Sequence, residues 1–176
     1  MKITTKALMI VAALALAACN NPRAGGGWDD GAADGWNGGA GGIQTGALGD
    51  PNDPTSVAHF NERIGDRVFF ETDQSTLTDT ARQTLAAQAR WLSANPQFAV
   101  LIEGHADERG TREYNVALGA RRANAVMQYL VSQGINSNRM RTVSYGKERP
   151  VEACPEPRCW NQNRRAVTVV STGLTG

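Results

Sequence analysis

Two residues of opposite charge, Asp107 and Arg122, have the types and spacing to bind an amino-acid-like zwitterion. Asp107 opens a polar loop after an apolar run, and Arg122 lies about three turns into the helical pattern that follows. Asn115, Leu118 and Arg122 stand at i, i+3 and i+7, so they share one helix face. A guanidinium binds a carboxylate through two parallel hydrogen bonds, an aspartate accepts an ammonium, and Leu118 supplies an apolar wall. A structural ion pair between Asp107 and Arg122 fits the spacing equally well.

His105 lies two positions before Asp107 and allows a different interpretation, because a histidine beside carboxylates can do acid–base chemistry. The alternative, which we favour, is a residue at the end of a strand that is hydrogen-bonded to its neighbours. The sequence contains no G-x-S-x-G elbow, H-E-x-x-H helix or phosphate-binding glycine loop. It therefore predicts a binding module rather than an enzyme, with no metal and no cofactor.

The N-terminus has the pattern of an export signal with an anchor. A basic start precedes an apolar run over 7–18 that is too short to cross a bilayer as a helix. The four residues 16–19 resemble a bacterial lipobox, which implies cleavage after a signal peptide over 1–18 and acylation of Cys19. Asn20, in place of an aspartate, favours the outer membrane. An ordinary signal peptide followed by a chance cysteine is the alternative.

The composition divides the rest of the chain into a tail and one domain. Residues 19–60 are rich in Gly, Ala, Asp and Asn, without a helical or alternating apolar pattern, which predicts a lipidated, disordered tether. Residues 61–176 are long enough for one ordinary domain. The formal net charge of +1 argues against a nucleic-acid-binding protein, which normally has a strong basic excess.

Strand and helix patterns alternate in the predicted domain. The strand patterns occupy 67–70, 98–102, 140–145 and 166–171. The helices are expected to begin after Thr78 and Thr111, which are typical N-cap residues, and to end near 95 and at about 133, with Gly134 as the residue after the second helix. The order β-α-β-α-β-β predicts an α/β (α+β) two-layer sandwich, with two main helices on one face of a mixed four-stranded sheet.

The core face of the second helix is predicted to contain four apolar residues, Val116, Ala123, Met127 and Leu130. Gly119 lies inside the same helix, where glycine costs about 1 kcal/mol relative to alanine. Its presence indicates a close approach by another backbone or by a ligand.

Cys154 and Cys159 lie in the loop before the last strand. An exported protein reaches an oxidising compartment, and with Cys19 acylated the other two cysteines form a pair, which predicts a local disulfide. A zinc site that uses these thiols and His105 is the alternative, which the small number of thiols and histidines disfavours.

Several separate motifs resemble the OmpA C-terminal-like domain family, and within it the peptidoglycan-associated lipoproteins. These motifs are Glu103-Gly104-His105-Ala106-Asp107-Glu108-Arg109-Gly110-Thr111, Glu113-Tyr114-Asn115, Arg121-Arg122-Ala123-Asn124-Ala125-Val126, Val143-Ser144-Tyr145-Gly146-Lys147-Glu148-Arg149-Pro150 and Asn163-Arg164-Arg165-Ala166-Val167. The resemblance covers about 68–170 and agrees with the lipobox and the tether.

The resemblance implies non-covalent binding of peptidoglycan through the meso-diaminopimelate of its stem peptide. By position, Asp107 takes the ammonium at the side-chain end of that residue and Arg122 takes its carboxylate. The other positions that the resemblance implies are Leu118 as a wall, Arg109 and Thr111 as loop contacts, Asp73 as a rim contact and Arg164 as a polar contact.

The resemblance also implies a second partner, TolB of the Tol system, on a surface that overlaps the peptidoglycan cleft. The expected protein is therefore an outer-membrane lipoprotein on the periplasmic face, held by lipid at Cys19. It would tether the membrane to the cell wall and support constriction at division.

Overall fold

The computed structural model describes residues 48–172, which contain one mixed four-stranded sheet. Its strands are β1 (Arg67–Phe69), β2 (Ala99–His105), β3 (Met140–Gly146) and β4 (Arg165–Ser171). The spatial order is β1-β4-β2-β3. β4 is antiparallel to both β1 and β2, whereas β2 and β3 are parallel. The mixed sheet that the sequence predicts is therefore confirmed.

The helices of the described region vary in length. They are α1 (Val57–His59), which continues into a π-helix (Phe60–Gly65), α2 (Asp79–Ala94), α3 (Arg112–Ser132), a 3₁₀ turn (Ser137–Arg139) and α4 (Pro157–Asn163). The predicted N-caps are confirmed, because the hydroxyl oxygens of Thr78 and Thr111 accept hydrogen bonds from the backbone N–H groups of Ala81 and Tyr114. Gly134, with φ of 90°, follows α3 as predicted.

The two long helices, α2 and α3, pack with the sheet around one hydrophobic core. Val100 and Ile102 of β2 and Leu85 and Leu92 of α2 are fully buried there, together with Val126 of α3. The predicted two-layer α/β sandwich is confirmed in this arrangement. Within residues 48–172, no helix is long and apolar enough to cross a bilayer.

The buried face of α3 differs from the prediction at Val116, which is 38% exposed. Ala123 and Leu130 are buried as expected, and Met127 is partly buried against the core. The buried face instead includes Leu118, which points to nearly the opposite side of the helix from Val116. The same buried face contains the polar residues Asn115 and Arg122, so apolar character alone did not identify it.

The folded region begins before residue 61, where the sequence analysis placed its start. Phe60 is fully buried in the core, and its ring lies 4.8 Å from that of Trp91. The indole N–H of Trp91 donates to the backbone carbonyl of Pro54 at 2.7 Å. The end of the expected tether therefore packs on the domain. The expected signal peptide, Cys19 and the rest of that tether lie outside the described residues.

Helix α4 occupies a segment that the sequence analysis treated as part of a loop. Pro157 stands in its first turn, where proline is well tolerated because its missing N–H has no intrahelical acceptor. A disulfide joins Cys154, just before the helix, to Cys159 inside it, with the two Cα atoms 5.8 Å apart. Both thiols of the alternative zinc site are used by this bond.

Helix α3 and strand β2 approach each other closely at Gly119 and Gly104. A Cβ atom on Gly119 would lie 2.8 Å from the carbonyl oxygen of Gly104, closer than such atoms approach in folded proteins. The approach of another backbone, which the sequence indicated at Gly119, is confirmed. It lets α3 lie close to the strand that leads to Asp107.

We expect Gly119→Ala to lower the free energy of unfolding by about 1–3 kcal/mol, because the added methyl group forces α3 away from β2. The intrinsic helix preference alone would favour alanine by about 1 kcal/mol. Urea unfolding measures the difference, and Ala117→Gly, at an exposed position of α3, provides the control for helix preference. A stabilised Gly119→Ala variant would contradict the close contact.

Candidate functional site

A hollow of about 210 Å³ lies beside the loop between β2 and α3. Its lining residues are Thr72, Asp73, Asp107, Arg109, Gly110 and Tyr114. They come from the loop after β1, the loop after β2 and the first turn of α3. The hydroxyl of Tyr114 donates to Oδ1 of Asp73 at 3.3 Å and so connects two of its sides.

Asp107 is 7% exposed, and its carboxylate accepts four hydrogen bonds. Oδ1 accepts from the backbone N–H and the Nε of Arg109, each at 3.2 Å. Oδ2 accepts from Nη2 of Arg109 at 2.7 Å and from Nη1 of Arg164 at 3.3 Å. Burial opposes ionisation of Asp107, but these hydrogen bonds outweigh it and hold the pKa below its ordinary value. The site therefore contains an ionised carboxylate.

Arg122 is fully buried, and its guanidinium donates to three backbone carbonyls. Nη1 donates to His105 at 2.7 Å, Nη2 to Glu71 at 3.1 Å and Nε to Gln74 at 2.9 Å. The guanidinium also lies 5.2 Å from the ring centre of Phe70. Burial lowers the pKa of Arg122 to about 10, so the side chain remains a cation at neutral pH.

These contacts place Arg122 behind the hollow rather than on its lining. The accepting carbonyls flank Asp73 in one loop and precede Asp107 in another, so Arg122 holds the two sides of the hollow together. Within residues 48–172, the ion pairs of Asp107 are with Arg109 and Arg164 rather than with Arg122. A direct Asp107–Arg122 bridge, the alternative at the sequence level, is thus not formed. A shared ligand for the two residues stays a prediction.

Four of the other predicted site residues lie in α3, at its N-cap or at the C-cap of α4. Leu118 is buried at 3% exposure, and Asn115 donates through Nδ2 to the backbone carbonyl of Arg109 at 2.7 Å. Thr111 caps α3, and Arg164, 6% exposed, donates to the Phe70 carbonyl at 3.1 Å and to the side chain of Asn161. Of these four, none belongs to the lining of the hollow. Their direct contact with a ligand remains a prediction.

Asp73 is exposed and lines the hollow, and its predicted contact with a ligand stays a prediction. Its φ of 56° falls in the left-handed region, which aspartate tolerates better than most residues. The backbone therefore turns sharply at this position.

Four residues of the site were not predicted from the sequence. Thr72, Gly110 and Tyr114 line the hollow, and Trp160 of α4 contacts Arg109, another lining residue. The guanidinium of Arg109 lies 4.4 Å from the centre of the Trp160 ring, and the indole N–H donates to Oε1 of Glu108 at 2.6 Å. An aromatic residue five positions before β4 gave no local signal of this role, because α4 was not predicted.

His105 is 1% exposed and does not line the hollow. Glu103 Oε2 lies 3.4 Å from its Nε2 without the alignment of a hydrogen bond, and neither ring nitrogen has a hydrogen-bond partner within residues 48–172. The expected hydrogen bonds of this side chain to its neighbours are therefore not formed. Burial lowers the pKa of His105, which leaves the imidazole neutral at neutral pH. This environment does not favour acid–base chemistry in the hollow.

Comparisons with known proteins agree on one family. The model of the OmpA family matches residues 69–165. A peptidoglycan-associated lipoprotein of Mesorhizobium japonicum is 58% identical over 118 residues, which cover 67% of this chain and 70% of that protein. The one from Agrobacterium fabrum is 57% identical over 117 residues, which cover 66% of each.

A solved structure with the same fold supports this assignment. The crystal structure of the peptidoglycan-associated lipoprotein from Burkholderia pseudomallei matches with a TM-score of 0.61 and 41% identity, over 69% of this chain and all of that one. The fold, the motifs around Asp107 and Arg122 and the sequence identity all indicate the same family. The chain belongs to the OmpA family and, within it, to the peptidoglycan-associated lipoproteins.

Proposed function

We propose that this protein is an outer-membrane lipoprotein that binds peptidoglycan non-covalently through the meso-diaminopimelate of the stem peptide. The observation that carries the proposal is the ionised, nearly buried carboxylate of Asp107 in the lining of a small hollow. Such a group suits an ammonium, because a charge-assisted hydrogen bond strengthens where water is excluded. The names of the relatives support peptidoglycan as the source of that ammonium.

In the proposed complex, the side-chain ammonium of diaminopimelate binds Asp107 and the neighbouring carboxylate binds a guanidinium. Arg122 is the expected guanidinium, and its three hydrogen bonds to carbonyls use three of its five N–H groups. One N–H on each terminal nitrogen is then left for a carboxylate, the geometry of a bidentate pair. Asp73, Arg109 and Thr111 would contact the rest of the peptide.

The wider role that we propose is mechanical. Acylated Cys19 would anchor the chain in the outer membrane from its periplasmic face, and the tail would let the domain reach the cell wall. TolB would compete for a surface that overlaps the hollow, so that exchange between TolB and peptidoglycan relocates the protein during constriction at division. No catalytic step is needed for this role.

Sedimentation with purified murein tests the proposed function. We expect the wild-type chain to pellet with murein, to be released by an excess of diaminopimelate-containing stem peptide, and to leave the murein intact. If the wild-type chain does not pellet with murein even at low salt, the proposal is contradicted. Release of soluble muropeptides would instead indicate a hydrolase.

The proposed binding should depend little on pH between about 5 and 8. The pKa of Asp107 lies below its ordinary value of 3.8, so the carboxylate stays ionised in this window and binding is lost only when pH falls through that lowered pKa. An alkylammonium, with a pKa of about 10, stays protonated throughout. Titrations at pH 5, 6, 7 and 8 test this, and a loss of binding with a midpoint at about pH 6.5 would assign control to a histidine instead.

A further inference from the structure

The carboxylate of Asp107 has no acceptor position left for a ligand. A carboxylate offers about four lone-pair sites, and four N–H donors already occupy the two oxygens of Asp107, two on each oxygen. Three of these donors belong to Arg109 and one to Arg164. An incoming ammonium must therefore replace a donor that the protein itself supplies.

Of the two arginines, Arg109 is the one whose guanidinium can be released from the carboxylate of Asp107. The side chain of Arg164 is 8% exposed and is also held by the Phe70 carbonyl and by Asn161. The side chain of Arg109 is 43% exposed, and its guanidinium has Asp107 as its ion-pair partner. Exposed groups of this kind exchange partners at low cost, because water solvates the charge during the change.

After its release from Asp107, the guanidinium of Arg109 can stay in contact with the ring of Trp160. This ring lies 4.4 Å from the guanidinium carbon of Arg109, and its indole N–H is held by Glu108 at 2.6 Å. A cation over an indole face is attracted whether or not it also binds a carboxylate. Arg109 can thus break its bonds to Asp107 and still lie at the edge of the hollow that it lines.

We propose that Arg109 is an internal counter-ion that the ligand exchanges, and that this exchange selects ligands carrying both an ammonium and a carboxylate. A lone ammonium would take Asp107 and leave the guanidinium of Arg109 without an anion. A zwitterion supplies both charges: its ammonium pairs with Asp107, and its carboxylate, which has about four acceptor sites, accepts from Arg122 and also pairs with Arg109. The inference rests on the proposed function and makes Arg109 a determinant of diaminopimelate over lysine at the same position of a stem peptide.

The test compares two stem peptides that differ only in diaminopimelate or lysine, titrated by calorimetry into the purified chain. Wild type should prefer the diaminopimelate peptide. In Arg109→Gln the competing cation is gone, so the affinity for the lysine peptide should rise by roughly three- to tenfold and the preference should shrink. Arg109→Lys keeps a competing cation and should leave the lysine peptide near its wild-type affinity.

Arg112→Gln serves as the matched control, because Arg112 is exposed and pairs with the exposed Glu148 outside the hollow. It should change neither affinity by more than about twofold. If wild type prefers the diaminopimelate peptide and Arg109→Gln shows the same preference over the lysine peptide, the proposed counter-ion exchange is wrong. The proposed function would be unaffected by that result. Binding of neither peptide by wild type would overturn both.

Discussion

Asp107→Asn is expected to weaken binding to peptidoglycan by roughly 30-fold or more, the largest effect of a single substitution at this site. Asparagine keeps the shape of the side chain but removes the anion that would receive the ammonium. The loss is large because Asp107 is only 7% exposed and water cannot replace the missing charge. Sedimentation with murein, over a range of murein concentrations, measures it.

Asp73→Asn removes the same charge from the exposed rim of the hollow and serves as the control. We expect it to weaken binding by less than about fivefold, because solvent screens an exposed charge. Equal losses in the two variants would indicate a general electrostatic attraction rather than a specific ammonium site. Wild-type binding by Asp107→Asn would remove Asp107 from the site altogether.

The second large effect is expected from Arg122→Ala, which should lower the free energy of unfolding by about 2–4 kcal/mol. Three backbone carbonyls, of Glu71, Gln74 and His105, lose their charged donor, and a fully buried side chain leaves a cavity. Removal of a buried cation offsets part of this loss, since burial lowers the pKa of Arg122. Urea unfolding measures the balance.

Arg121→Ala is the matched control for this prediction, because Arg121 is the neighbouring residue on α3 and is exposed. It should change stability by less than about 0.5 kcal/mol. Arg122→Met, which fills most of the volume without the hydrogen bonds, separates packing from hydrogen bonding. A fully stable Arg122→Ala variant would show that the three contacts do not hold the loops together.

Weaker peptidoglycan binding by Arg122→Ala could have two causes. This variant loses the hydrogen bonds that hold both sides of the hollow as well as a proposed ligand contact, so a binding measurement alone does not separate the two effects. Arg122→Lys keeps the charge but not the planar fork. Binding should therefore be compared with stability in the same variant.

Local signals in the sequence were sufficient for much of the fold. Thr78 and Thr111 were recognisable as N-caps because the capping hydrogen bond reaches only three residues along the chain. Gly119 was recognisable as a close contact because glycine is unfavourable inside a helix without such a reason.

The environment of Arg122 depended on contacts that no local pattern encodes. Its partners Gln74 and Glu71 lie 48 and 51 positions away, in the loop after β1. The face that it shares with Asn115 and Leu118 was predictable from helical spacing, and all three are buried. Helical spacing did not predict whether the guanidinium of Arg122 faces solvent or backbone carbonyls.

The role of Trp160 was hidden for a similar reason. The segment around Cys154 and Cys159 is rich in proline and polar residues, which is typical of a loop. The short helix α4 begins within this segment and places Trp160 against Arg109, across a sequence separation that periodicity does not address. The packing of Phe60 in the core was missed because one aromatic residue follows a long glycine-rich stretch.

The central claim, that Asp107 receives the ammonium of a zwitterion, is tested most directly by a crystal structure of the chain with a diaminopimelate-containing stem peptide. We expect the side-chain ammonium within about 3.2 Å of a carboxylate oxygen of Asp107 and the adjacent carboxylate on a guanidinium of the site. A peptide bound elsewhere, with Asp107 still held by both Arg109 and Arg164, would contradict the account.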